Sequence, residues 1–77
     1  MLDYRQHITS NPNVMLGKPC IKGTRITVEL ILSKLGQGAT SQLLIEDYPT
    51  LSPIQIQAAI LYASDIVANE AMFPLEA

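Results

Sequence analysis

Few side chains in this chain can do chemistry. His7 and Cys20 each occur once; a nucleophile with its base would need the two adjacent and a third group to orient the base, and nothing in their spacing requires that. His7 reads instead as a strand residue and Cys20 as a small buried filler. The acids Glu46, Asp47, Asp65, Glu70 and Glu76 repeat at no metal-ligand spacing, and Glu46 and Asp47, being neighbours, diverge on a helix. Gly17-Lys18 and Gly23-Thr24 lack the spacing of a nucleotide-binding P-loop. The chain is therefore expected not to be an enzyme and to hold no cofactor, metal or nucleotide.

Binding chemistry remains. Lys18, Lys22 and Arg25, three of the five cations, lie within residues 17–28 (GKPCIKGTRITV). Gly17, Pro19 and Gly23 bend the backbone there, while Ile21 and Ile26 can pin it to a core. An anchored, positively charged loop suits an anion. A second set, Ser52, Gln55 and Gln57, stands at the start of a helix, where glutamine amides can bond adenine edges and the helix N-terminus can meet a phosphate.

The elements that must position these groups read as follows. Residues 4–8 alternate as a short strand, ended by the turn signal Ser10-Asn11-Pro12-Asn13. Their natural partner is residues 24–27, giving a short antiparallel pair that closes the glycine loop. Thr27 caps a first helix over residues 28–37, with Val28, Ile31, Leu32 and Leu35 on one stripe. Gly36-Gln37-Gly38 stops it. Thr40 caps a second helix, residues 41–48, with Leu43, Leu44 and Ile45 facing inward and Pro49 ending it. Ser52-Pro53-Ile54-Gln55 is a capping box with proline at the first helical position. It opens a third helix running to about residue 69–71, whose stripe Ile56, Ala59, Ile60, Ala63, Ile66 and Val67 is expected to face the other two. Residues 71–77 form an apolar tail. The fold class is mainly α: a three-helix, helix-turn-helix bundle with a short N-terminal β-hairpin. Residues 1–77 make a single domain, divided into a strand pair and basic loop (4–27), a three-helix unit (28–70) and the tail.

Composition bounds the function. With 48% hydrophobic and 16% charged residues in 77, some apolar surface should remain exposed, and on so small a domain that implies a partner, most simply a second copy. A lone cysteine fits a reducing cytoplasm. No signal peptide or membrane span is expected, because the apolar runs are too short. The net charge of −2 hides an asymmetry: residues 1–34 hold all five cations against Asp3 and Glu29 (+3), while residues 35–77 hold five acids and no cation (−5). That pattern suggests a basic contact surface joined to an acidic one. It also leaves the third helix without a cation to attract DNA, whose binding is largely electrostatic.

Opposite its core stripe the third helix carries a second apolar strip, Ile54, Ala58, Leu61 and Tyr62, edged by Asp65 and Asn69. Either this strip tucks under the N-terminal strands or it is an interface for a homodimer or a protein partner.

The run Gly17 to Val28, the helix after it, Glu46-Asp47-Tyr48-Pro49 and the Leu51-Ser52 helix start together resemble the family catalogued as domain of unknown function 433 over roughly residues 5–68. The resemblance implies a homeodomain-like helix-turn-helix and the antitoxin half of a toxin–antitoxin pair whose toxin is a PIN-like ribonuclease. The leading expectation is an antitoxin or DNA-binding regulator that contacts DNA through Lys18, Lys22, Arg25, Ser52, Gln55 and Gln57 and a partner through Ile54, Ala58, Leu61 and Tyr62. The alternative is a protein-interaction adaptor that binds no nucleic acid.

Overall fold

The computed structural model describes residues 2–69. In chain order it has a 3-10 turn at Tyr4–Gln6, strand β1 (Ile8–Thr9), strand β2 (Cys20–Ile21) and helices α1 (Val28–Gly36), α2 (Ser41–Asp47) and α3 (Pro53–Asn69). The architecture is mainly helical with one short antiparallel pair. Its brief α2, turn and long α3 fit a helix-turn-helix arrangement. The tail expected at residues 71–77 lies outside the described residues.

Each helix begins and ends where the local chemistry dictates. Thr27 accepts from the Leu30 N–H at 3.0 Å and Thr40 from the Leu43 N–H at 3.1 Å, each satisfying an orphan donor of a first turn. At the C-terminus of α1 the Ala39 N–H reaches the Lys34 carbonyl and the Gly38 N–H the Leu35 carbonyl, both at 3.0 Å. Gly38 has φ +102°, so this is a Schellman closure that needs glycine at that position. At the head of α3, Gln55 Oε1 accepts from the Ser52 N–H at 2.9 Å, one half of the capping box.

The strand pair differs from expectation. Residues 4–6 are a 3-10 turn because Asp3 Oδ1 accepts from the Arg5 N–H at 3.0 Å, a local side-chain bond that competes with extended backbone. Only Ile8–Thr9 remain as strand, and they pair with Cys20–Ile21 in the register Ile8↔Ile21 and Thr9↔Cys20, not with residues 24–27. The latter are taken by a nearer neighbour. The Thr24 hydroxyl donates to the Ile21 carbonyl and accepts from the Ile26 N–H, which folds the chain back so that Thr27 bridges Cys20. The short loop closes at the smaller entropic cost.

Ile21, Val28, Ile31, Leu44, Leu51, Ile56 and Ala59 form the buried core, with Leu32, Leu35, Ile45, Tyr48 and Tyr62 packed around it. Two expected stripes were too broad. Leu44 is buried and Ile45 packs against the core, but Leu43 is 49% exposed, because three consecutive residues span about 200° of helix, more than one buried face. On α3, Ile60 and Ile66 are each 46% and Val67 57% exposed. These side chains were expected to face α1 and α2, but Ile66 and Val67 lie in the last turns of a 17-residue helix packed on helices of 9 and 7 residues, and Ile60 sits beside the buried line of Ile56 and Ala59 and not on it.

Candidate functional site

Two surfaces stand out, one on α3 and one on the N-terminal head. Along α3 the only charge among Pro53–Asn69 is Asp65. Ile66 follows the fully buried Ala59 by seven residues, about 20° from it around the helix, yet is 46% exposed. The core-facing side of α3 thus outruns the protein that covers it. A groove of about 350 Å³ results, floored by Val28, Leu32, Tyr62, Ala63, Ile66 and Val67 and bordered by Pro19 and Glu29. Ile60, seven residues before Val67 and so on the same line of the helix, is 46% exposed but does not line the groove.

The strip expected on the other side of α3 is only partly open. Ile54 (46%) and Leu61 (37%) are exposed, but Ala58 is fully buried and cannot be an interface residue in the folded chain. Tyr62 is half-buried and meets the Tyr4 ring edge-on at 5.7 Å between centroids, a favourable aromatic geometry. The Tyr4 hydroxyl donates to Asp65 Oδ2 at 2.6 Å. That bond to a carboxylate, with desolvation and the Asp65 charge, pushes the Tyr4 phenol above its ordinary pKa of 10.0.

In the head, the three cations occupy different settings. Lys18 Nζ pairs with Glu29 Oε1 at 2.9 Å, an exposed ion pair. Lys22 is exposed, its N–H bonded to the His7 carbonyl at 2.8 Å. Arg25 is exposed over a cavity of about 420 Å³ lined also by Thr9, Asn11, Val14, Cys20 and Thr24. Lys18 borders a separate depression with Met15 and Thr27. At the start of α3, Gln57 is exposed, whereas Gln55 is half-buried with its amide oxygen engaged in capping.

Met15, Leu16 and Gly17 have φ of +50°, +58° and +80° in succession. This left-handed turn, tied by the Ser10 hydroxyl donating to the Gly17 carbonyl, holds Leu16 93% exposed. Cys20 is buried, its thiol donating to the Lys18 carbonyl at 3.3 Å. Among the described residues no three His, Cys, Asp or Glu side chains cluster as metal ligands, and no helix is long and apolar enough to cross a membrane.

Residues 8–63 match the family described as protein of unknown function (DUF433). The chain belongs to the DUF433 family. A DUF433 member from Anabaena variabilis, known as a crystal structure, superposes with a TM-score of 0.76 at 31% identity, covering 80% of this chain and 61% of that one. The uncharacterized protein y4eO of Sinorhizobium fredii is 30% identical over 59 residues. That match takes in 77% of this chain but only 27% of the relative, so the chain spans about a quarter of that relative's length. The DUF433 match includes the Arg25 cavity and most of the α3 groove, and ends at Ala63, before Ile66 and Val67.

Sequence reasoning found the cations and the apolar character of α3 but missed Thr9 and Asn11 as cavity residues and Leu32, Ile66 and Val67 as groove residues. Asn11 carries a signal, since Asn-Pro-Asn marks an Asx-type turn. No sequence signal marks the groove, which depends on how far α1 extends along α3.

Proposed function

We propose that this DUF433 protein is a non-catalytic antitoxin that holds a PIN-like ribonuclease against the open apolar face of α3 and contacts DNA through its basic head and the start of α3. The observation that carries the reading is the exposure of Ile60, Ile66 and Val67 on a helix whose only described charge is Asp65. Contiguous apolar surface on so small a protein is costly unless a partner covers it. The acidic balance of residues 35–77 favours a partner whose apolar contact ridge is flanked by cations.

The test begins with the adjoining gene: if it encodes a PIN-like ribonuclease, that enzyme is purified and assayed with this protein, and the absence of such a gene counts against the antitoxin assignment. RNA cleavage should cease at an equimolar ratio of the wild-type protein and persist with Ile60→Asp/Val67→Asp. Cleavage unaffected by excess wild-type protein would refute the antitoxin assignment. A second copy is the competing occupant, identified by a dimer in sedimentation that the same double variant converts to monomer.

An adaptor without nucleic-acid contact is the second reading. It is favoured by the pairing of Lys18 with Glu29 and by the capping role of Gln55, whose amide oxygen is tied to the Ser52 N–H so that a bidentate contact to adenine has to compete with the cap. Duplex binding that is absent at low salt, or insensitive to added salt, would select it.

A further inference from the structure

The cavity beneath Arg25 has a donor set with no acid in it. Its lining side chains are Thr9, Asn11, Val14, Cys20, Thr24 and Arg25, and Arg25 has no ion-pair partner among the described residues. The polarity of Asn11 is settled by its own turn. Its Oδ1 accepts from the Asn13 N–H at 2.9 Å, which ties the amide oxygen to its own turn and leaves the Nδ2 group, with two donors, without a hydrogen bond among the described residues. Thr24 plays a different part: its hydroxyl is spent on Ile21 and Ile26 and so holds the turn that presents Arg25. Thr9, in β1, makes no side-chain hydrogen bond among the described residues and contributes a hydroxyl.

We infer that this cavity binds a phosphate group, with the Arg25 guanidinium as the charged fork and Asn11 Nδ2 and the Thr9 hydroxyl as flanking donors. Arginine presents a planar set of N–H groups that matches two oxygens of a phosphate at once. Thr9 of β1, Asn11 of its turn and Arg25 of the Gly23–Arg25 turn line the cavity from three segments, so an oxyanion there has donor-bearing residues on more than one side. The volume of about 420 Å³ would hold on the order of ten waters at their liquid density, enough for a phosphate with part of its hydration shell or an attached sugar. A metal cation is disfavoured by the same lining, since it offers no carboxylate. The source of the phosphate, a nucleic-acid backbone, rests on the DNA half of the proposed function; the site itself does not.

The test uses the full chain. Amide and side-chain NMR resonances are followed during titration with inorganic phosphate, with acetate, and with sodium chloride at matched ionic strength. Duplex affinity is then measured for wild type, Arg25→Gln, Thr9→Val and Lys34→Gln, the last removing one charge outside the cavity; unchanged melting temperatures establish that the variants fold. The expected result is a set of shifts confined to Thr9, Asn11, Thr24 and Arg25 with phosphate and absent with chloride. Duplex affinity should fall about tenfold for Arg25→Gln and two- to threefold for Lys34→Gln. Localised phosphate shifts without duplex binding would sustain the site and overturn nucleic acid as its source. Duplex binding that Arg25→Gln and Lys34→Gln weaken equally, without localised phosphate shifts, would overturn the site while the DNA reading stood. Equal, localised shifts with acetate would also overturn the phosphate assignment.

Discussion

Truncating Ile66 and Ile56, two isoleucines on α3, distinguishes a surface left open for a partner from a loosely packed part of the core. Ile56 is 2% exposed and belongs to the core cluster. Ile56→Ala removes about three methyl or methylene groups and leaves a cavity, at a cost of about 2–5 kcal/mol. A 77-residue domain is stable by about 4–12 kcal/mol in all, so this variant should melt more than about 10 °C below wild type. Ile56→Val, at about 0.5–1.5 kcal/mol, gives a milder measurement should the alanine variant fail to fold. Ile66 keeps 46% of its surface in water. Its truncation loses only about half the transfer free energy of the same groups, about 1 kcal/mol, leaves no enclosed cavity, and recovers a few tenths of a kcal/mol from the better helix propensity of alanine, about 0.4. Urea unfolding of the isolated protomer should therefore show the midpoints of Ile66→Ala and Ile56→Val close together and slightly below wild type, and that of Ile56→Ala far below both, with unchanged slopes. Partner binding should rank differently, with Ile66→Ala impaired and Ile56→Val near wild type. If Ile66→Ala destabilised the isolated protomer as much as Ile56→Ala, the groove would be an intramolecular seam and the proposal of a partner on α3 would fall.

Other expectations follow from single contacts. Leu16→Asn should raise the melting temperature by a few degrees, because a left-handed leucine costs roughly 1–2 kcal/mol that asparagine partly avoids, while the 93% exposed side chain contributes little packing; a fall would mean Leu16 packs in solution. The Tyr4 phenol keeps its proton to higher pH in the folded chain than in the unfolded one, so its contribution is complete below pH 10.0 and is lost as pH rises through the raised folded value. Wild type should lose stability above pH 10.0 more steeply than Tyr4→Phe, and identical slopes would discount the Asp65 bond. Cys20, buried with its thiol on the Lys18 carbonyl, should resist alkylation under native conditions and react at the rate of a free cysteine in urea; rapid native labelling would mean the head opens readily. Lys18→Ala should change stability by less than about 0.5 kcal/mol in a melting experiment, as expected of an exposed ion pair.

The sequence by itself determined the helices and their ends. Thr27, Thr40 and the Ser52–Gln55 box act within one turn of backbone, and Gly38 closes α1 because only a residue free of Cβ takes φ +102° without strain. The charge asymmetry and the excess of apolar residues on α3 were likewise legible, being sums over residues. Tertiary structure decided what depends on competition between distant segments. Cys20–Ile21 pair with Ile8–Thr9 on one side while Thr24 holds residues 24–27 folded back on the other. Ala58 was covered and Ile66 left open because burial on a long helix is set by the reach of its neighbours, a length that the periodicity of α3 does not encode. The Arg25 cavity has the same origin: Thr9, Asn11 and Arg25 meet only once the two turns and β1 are packed together.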